Sequence, residues 1–115
     1  MQKAMMVRRA LRRLARLSPK RIARLLAQEG IKGHPGWSHR CAIARYLSRE
    51  AGCEVLVDFV DEDELVCIVD EDYNWPLQIK APESVKEFVK LFDDGAFPEL
   101  VGDPEPSPAE RRWSA

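Results

Sequence analysis

The chain has 115 residues, 45% of them hydrophobic, and a formal net charge of −1 at pH 7. This length suits one compact domain with a core and excludes two domains of ordinary size. No apolar run reaches the length of about 18 residues that a membrane span needs, and arginines interrupt residues 1–17. We therefore expect no signal peptide, no membrane partner and a cytoplasmic location.

The charge is divided unevenly along the chain. Residues 1–49 carry 13 Lys and Arg against one acidic residue, Glu29, which gives +12. Residues 50–115 carry 18 acidic residues against five basic ones, which gives −13. A strongly basic segment is typical of a surface for nucleic acid or for an acidic protein. Alternatively, the two halves neutralise each other, within one molecule or between two copies.

The first predicted element is a helix over residues 4–17. Val7, Leu11 and Leu14 recur at helical spacing and form an apolar stripe. The other positions carry five arginines: Arg8, Arg9, Arg12, Arg13 and Arg16. Residues 1–17 therefore form a basic amphipathic helix, distinct in composition from the domain that follows, and the sequence leaves open whether this helix packs on that domain.

A second helix is predicted from Pro19 to about Glu29. Ser18 is a typical N-cap residue, and proline is favoured at the first helical position. Gly30 suits the left-handed backbone conformation that commonly follows the end of a helix. These signals bound the second helix at both ends.

A third helix is predicted to begin near Ser38 or His39 and to continue to Ala51. The free N–H groups of a first helical turn favour anions, so Ser38, His39 and Arg40 form a candidate anion-binding site. The ordinary alternative is that Ser38 only caps the helix and that Trp37 packs at the edge of the core.

Three short strands and a last helix complete the predicted fold. Residues 54–60 and 65–70 are rich in β-branched and aromatic side chains, and an acidic turn joins them into an antiparallel hairpin. Residues 77–80 form the third strand, and the last helix begins at Pro82 and ends before Gly95. We therefore predict an α+β fold, in which three N-terminal helices, a small antiparallel β-meander and a C-terminal helix pack as two layers.

Catalytic and metal-binding chemistry has little support in the sequence. His34, His39 and Cys41 lie close together, but the paired spacings of zinc sites are absent. Cys41 is either a thiol activated in a first helical turn beside Arg40 or a small buried hydrophobic residue. The three cysteines include no close pair, which argues against disulfides. We expect reduced thiols, no catalytic residues, no metal and no cofactor.

Two motifs carry a resemblance to known proteins. The patterns IKG..G....CAIARYL at residues 31–47 and FDDGAFPEL at residues 92–100 resemble short uncharacterised proteins encoded by actinobacteria and their phages. The similarity spans roughly residues 19–101, nearly all of the single α+β domain expected at residues 18–101. It omits the basic N-terminal helix and residues 102–115, which we predict to be a disordered Pro-rich tail. Because that group has no assigned activity, the resemblance implies an origin and a compartment but no chemistry.

Two functions from different classes remain. In the first, the chain is a non-enzymatic regulatory or interaction module that binds a protein partner or a second copy through its apolar stripe, its arginines and aromatic anchors. If it is phage-encoded, a host-directed role suits its size. In the alternative, the same arginines follow the phosphates of a nucleic acid. The candidate partner-binding residues are Arg8, Arg9, Arg12, Arg13, Arg16, Trp37, Tyr73 and Trp75.

Overall fold

The computed structural model of the chain describes residues 2–35, 41–69 and 76–102. These residues form a compact α+β fold with four α-helices and one three-stranded antiparallel sheet, which confirms the predicted fold class. The helices are α1 (Gln2–Ala15), α2 (Pro19–Gln28), α3 (Ala42–Ala51) and α4 (Glu83–Asp93). The strands are β1 (Val55–Phe59), β2 (Leu65–Val69) and β3 (Leu77–Lys80), and a 3-10 turn at Pro98–Leu100 follows α4.

The ends of α2 lie where the capping signals predict them. The Ser18 hydroxyl accepts a hydrogen bond from the backbone N–H of Arg21 at 3.3 Å, and Pro19 opens the helix. After the helix, Gly30 has φ of 70°, which only glycine adopts at little cost. The N–H of Ile31 then bonds to the carbonyl of Leu26 at 2.9 Å, so the chain turns sharply away from the helix axis.

The start of α3 differs from the prediction. Its first helical residue is Ala42, and Cys41 is the N-cap, with an extended backbone and a sulfur that accepts the N–H of Ala44 at 3.3 Å. The start predicted near Ser38 or His39 is therefore wrong. A cysteine is a weak hydrogen-bond acceptor and an unusual cap, so the sequence offered serine as the more typical choice.

The sheet has the order β1-β2-β3, and both pairs of neighbours are antiparallel hairpins. Its register aligns Val57, Cys67 and Ile79 across the three strands. These side chains are buried in the main core, as the alternation of strand residues requires. Strand β1 is one residue shorter at each end than predicted for residues 54–60. Strand β2 starts at Leu65 as predicted, and its predicted end at residue 70 lies outside the described residues.

Helix α1 belongs to the same core as the rest of the fold. Val7 and Leu14 are fully buried, and α1 contacts α3, α4 and β2. Each such side chain contributes about 1.5–3 kcal/mol by leaving water. The boundary drawn between residues 17 and 18 from composition therefore falls inside one continuous hydrophobic cluster.

Two long-range backbone and side-chain contacts close the fold. The Ser84 hydroxyl at the start of α4 donates to the carbonyl of Leu14 at 3.1 Å, across 70 residues. The N–H of Gly33 donates to the carbonyl of Leu100 at 2.9 Å, and the N–H of Gly102 donates back to the carbonyl of Gly33 at 3.2 Å. The last turn of α1 and the end of the described chain at Gly102 are thereby fixed to distant segments.

Replacing Leu14 with alanine is expected to lower the free energy of unfolding by about 2–5 kcal/mol, because the fully buried side chain leaves a cavity between α1 and the core. Met5→Ala is the matched control on the same helix, since Met5 is 60% exposed, and it should change stability by less than about 0.5 kcal/mol. Urea unfolding followed by circular dichroism measures both. Equally small losses in the two variants would contradict the packing of α1.

Candidate functional site

The exposed part of α1 presents its arginines in three directions. Successive residues are about 100° apart around a helix, so the buried stripe leaves two flanks and one outward face. Arg13 lies on the flank beside α3, and Arg8 and Arg12 lie on the opposite flank beside β3. Arg9 and Arg16 are exposed between these flanks. The five arginines are therefore not equivalent.

Arg13 connects α1 to α3. Its Nη1 donates to the Tyr46 hydroxyl at 3.2 Å and lies 3.6 Å from Oε1 of Glu50. Burial is the largest cause of the raised pKa of Tyr46, which keeps this hydroxyl protonated. An ion pair as exposed as this one contributes at most about 1 kcal/mol. Because Arg13 already contacts Tyr46 and Glu50 of its own chain, it is the least available of the five arginines to a partner.

A groove of about 440 Å³ opens between α1 and β3. Its apolar surface comes from α1, from β3 and from the proline after β3, and cationic residues of both α1 and β3 contribute to its lining. The lining residues are Arg8, Leu11, Arg12, Ala15, Ile79, Lys80 and Pro82. An apolar surface between cations suits a ligand that carries both apolar groups and negative charge.

The three cations of the groove make no ion pair with any residue that the structure describes. Arg8, Arg12 and Lys80 have no such partner, and no acidic residue of the described ranges lines the groove. Like charges on neighbouring elements raise the positive potential of the space between them. The groove is therefore a place where an anionic group is attracted by unpaired positive charges.

The described ion pairs do little to neutralise one half of the chain with the other. Arg13–Glu50 joins the basic half to the acidic half. Arg49–Glu29, at 3.1 Å, lies within the basic half. Lys86–Glu83, at 3.0 Å, lies within the acidic half. These pairs leave the charge of the groove in place.

Several residues predicted to be functional lie outside the described part of the chain. They are Trp37, Ser38, His39 and Arg40 before α3, and Tyr73 and Trp75 between β2 and β3. The prediction of an anion site rested on a helix starting at Ser38 or His39. Because α3 starts at Ala42 instead, that argument no longer applies to Ser38, His39 and Arg40.

The cysteines behave as buried hydrophobic residues. Cys41 is 4% exposed, and burial raises the pKa of its thiol to about 11, even though the N–H of Ala44 favours the thiolate. Burial also raises the pKa of Cys67 to about 12. The interpretation of Cys41 as an activated thiol is therefore wrong. Among residues 2–35, 41–69 and 76–102, no group of three or more His, Cys, Asp or Glu side chains could hold a metal ion.

Two residues of the groove could not be selected from the sequence. Ile79 and Lys80 alternate as a strand should, with Ile79 buried and Lys80 exposed, but nothing local indicates which helix lies beside them. Their contribution to the groove depends on the packing of α1 against the sheet.

Comparisons of the chain with protein-family models, curated proteins and solved structures found no match. None of the helices in the described ranges is long and apolar enough to cross a membrane. The function is therefore argued from the groove and the helix face beside it.

Iodoacetamide at pH 8 is expected to modify Cys53 first, because this thiol is partly exposed. With pKa values of about 11 and 12, Cys41 and Cys67 hold no more than about 0.1% thiolate at this pH, and both are buried. Mass spectrometry of peptides from the folded protein measures the order of modification. All three cysteines should react in urea, and rapid modification of Cys41 in the folded protein would contradict its burial.

Proposed function

We propose that the chain is a small, non-enzymatic binding module that holds an acidic protein partner against the flank of α1 that faces β3. The observation that carries this proposal is the groove, whose apolar lining stands between Arg8, Arg12 and Lys80. Desolvated apolar contact supplies affinity, while the cations supply orientation and a faster encounter with negative charge.

The burial of the apolar stripe determines which side of α1 can contact a partner. Val7, Leu11 and Leu14 were candidates for docking on another molecule, but Val7 and Leu14 are fully buried inside this chain, and Leu11, which is 3% exposed, reaches the surface only at the groove. The contact surface of α1 is therefore its arginine-bearing side, and Arg8 and Arg12 are the members that adjoin apolar surface. Arg9 and Arg16 do not line this groove.

A nucleic acid is the second candidate partner. Arg8 and Arg12 lie four residues apart on α1, about 6 Å along the helix axis, and Arg16 follows directly after the helix ends at Ala15, which is a row suited to phosphates. One observation favours a protein over a nucleic acid. The groove is lined in part by apolar groups, which a protein side chain can contact and a phosphate backbone cannot use.

The arrangement of the fold is part of this proposal. The contacts of α1 with β2 and of α3 with β1 support two layers, with helices covering one face of the sheet. In such a layout the flank of α1 reaches the side of β3. The resemblance to proteins of actinobacteria and their phages adds a regulatory, host-directed role to the proposal.

The binding surface is tested with two pairs of charge reversals that change the net charge equally. Arg8→Glu with Arg12→Glu is expected to weaken binding of a fluorescein-labelled heptapeptide, six glutamates around a central leucine, by about tenfold or more. Arg9→Glu with Arg16→Glu is the matched control and should weaken it less. Fluorescence anisotropy at about 50 and 200 mM salt measures both.

A labelled random DNA duplex in the same titration separates the two candidate partners. Duplex binding that is tighter than peptide binding, with equal losses in the two double variants, would replace the acidic protein with a nucleic acid. No peptide binding at the lower salt concentration would contradict the proposed function. Point variants are needed here, because a truncation at Ser18 removes a helix of the core.

A further inference from the structure

The two edge strands of the sheet, β1 and β3, differ in their hydrogen bonds to neighbouring elements. At the β1 edge, the Ser48 hydroxyl of α3 accepts the N–H of Val55 at 2.9 Å and donates to the carbonyl of Val55 at 3.3 Å. These contacts occupy the first polar groups that β1 presents outward. They cover this edge at its first residue and hinder another chain from pairing there, while the polar groups of Val57 also face outward.

The register shows which backbone groups of β3 point away from the sheet. The N–H of Ala81 donates to the carbonyl of Leu65 at 2.9 Å, so these two residues form a hydrogen-bonded pair. Hydrogen-bonded and non-hydrogen-bonded pairs alternate along an antiparallel ladder. Lys80, opposite Val66, and Gln78, opposite Ile68, are therefore non-hydrogen-bonded pairs. Their N–H and C=O groups face the open edge.

Within the described ranges, no strand pairs with this edge of β3. The sheet order ends at β3, and the other described backbone hydrogen bonds do not involve Gln78 or Lys80. The β3 edge thus presents two N–H donors and two C=O acceptors beside the groove. The β1 edge, by contrast, meets α3 through Ser48.

Resting on the function proposed above, we infer that the partner binds as an extended acidic segment that adds a fourth strand to the β3 edge. Backbone hydrogen bonds to Gln78 and Lys80 hold the segment, and its side chains alternate between the two faces of the sheet. This mode uses polar groups that simple charge attraction would leave unused.

Charge and shape define the chemistry of the segment. Inward-facing side chains enter the groove, where Ile79 and Leu11 favour an apolar residue at the centre and where Arg8 and Arg12 favour carboxylates beside it. Outward-facing side chains lie on the face of Lys80, which favours a further carboxylate. The occupant is therefore a short stretch of Asp or Glu with a single apolar residue in its middle.

Backbone methylation of the glutamate–leucine heptapeptide tests this mode at constant charge. One peptide carries N-methyl groups on its third and fifth residues, and the other carries them on its fourth and sixth. In strand addition only alternate N–H groups face β3, so one of the two peptides should bind at least about tenfold more weakly while the other binds like the parent. Loss in the first indicates antiparallel addition, and loss in the second indicates parallel addition. Equal binding of the two methylated peptides would overturn the inference.

A variant of the strand edge provides the second measurement. Gln78→Pro removes an N–H that β2 does not use, and proline is tolerated at edge positions of this kind, so the fold should be retained. The variant is expected to bind the parent peptide about tenfold or more weakly, whereas Gln78→Ala, the matched control, should bind it normally. Urea unfolding verifies that both variants are folded.

The outcomes separate this inference from the function on which it rests. If Arg8→Glu with Arg12→Glu weakens binding but Gln78→Pro does not, the proposal of an acidic partner is supported and strand addition is overturned. If the native chain does not bind the peptide, both the proposed function and strand addition are overturned. Sedimentation of the native chain gives the remaining outcome: a dimer that Gln78→Pro dissociates would assign the edge to a second copy of this chain and overturn the acidic segment.

Discussion

The burial of one side of α1 is the constraint on which the rest of the structure depends. Val7, Leu11 and Leu14 can leave water only if α1 lies against the sheet and the other helices, and its arginines must then remain at the surface. The orientation of α1 about its axis that buries the stripe also places Arg13 beside α3 and places Arg8 and Arg12 beside β3. A basic surface is thus a consequence of core packing, and it needs no separate element to position it.

The two edges of the sheet differ in what lies beside them. At β1, Ser48 satisfies the backbone of Val55, so the helix layer and the strand edge are joined by hydrogen bonds. At β3, the neighbouring α1 provides charged and apolar side chains and leaves a groove between itself and the strand. The β1 edge is hydrogen-bonded to α3 at one end, whereas the β3 edge has no strand beside it among the described residues and adjoins a groove lined by cationic residues.

Local signals in the sequence were sufficient for most of the elements. The cap at Ser18, the left-handed Gly30 and the alternation of the strands each act within a few residues, so α2 and the sheet were predictable. The start of α3 was not, because a cysteine sulfur serves as the cap in place of a typical side chain. The β3 side of the groove was not predictable for a different reason. The position of Lys80 beside Arg8 and Arg12 depends on tertiary packing, which the spacing of residues along the chain does not indicate.

The hydrogen bond from Ser84 to the carbonyl of Leu14 spans 70 residues and has a consequence for the order in which the protein is made. Chains grow on the ribosome at about 5–20 residues per second, so α1 waits for roughly 4–14 s before the start of α4 has been synthesised. During that interval the apolar stripe has no complete core to enter, while the arginines already carry their charge. The apolar stripe can pack against α3 and β2 earlier, but its contact with α4 and the hydrogen bond from Ser84 form only after that interval.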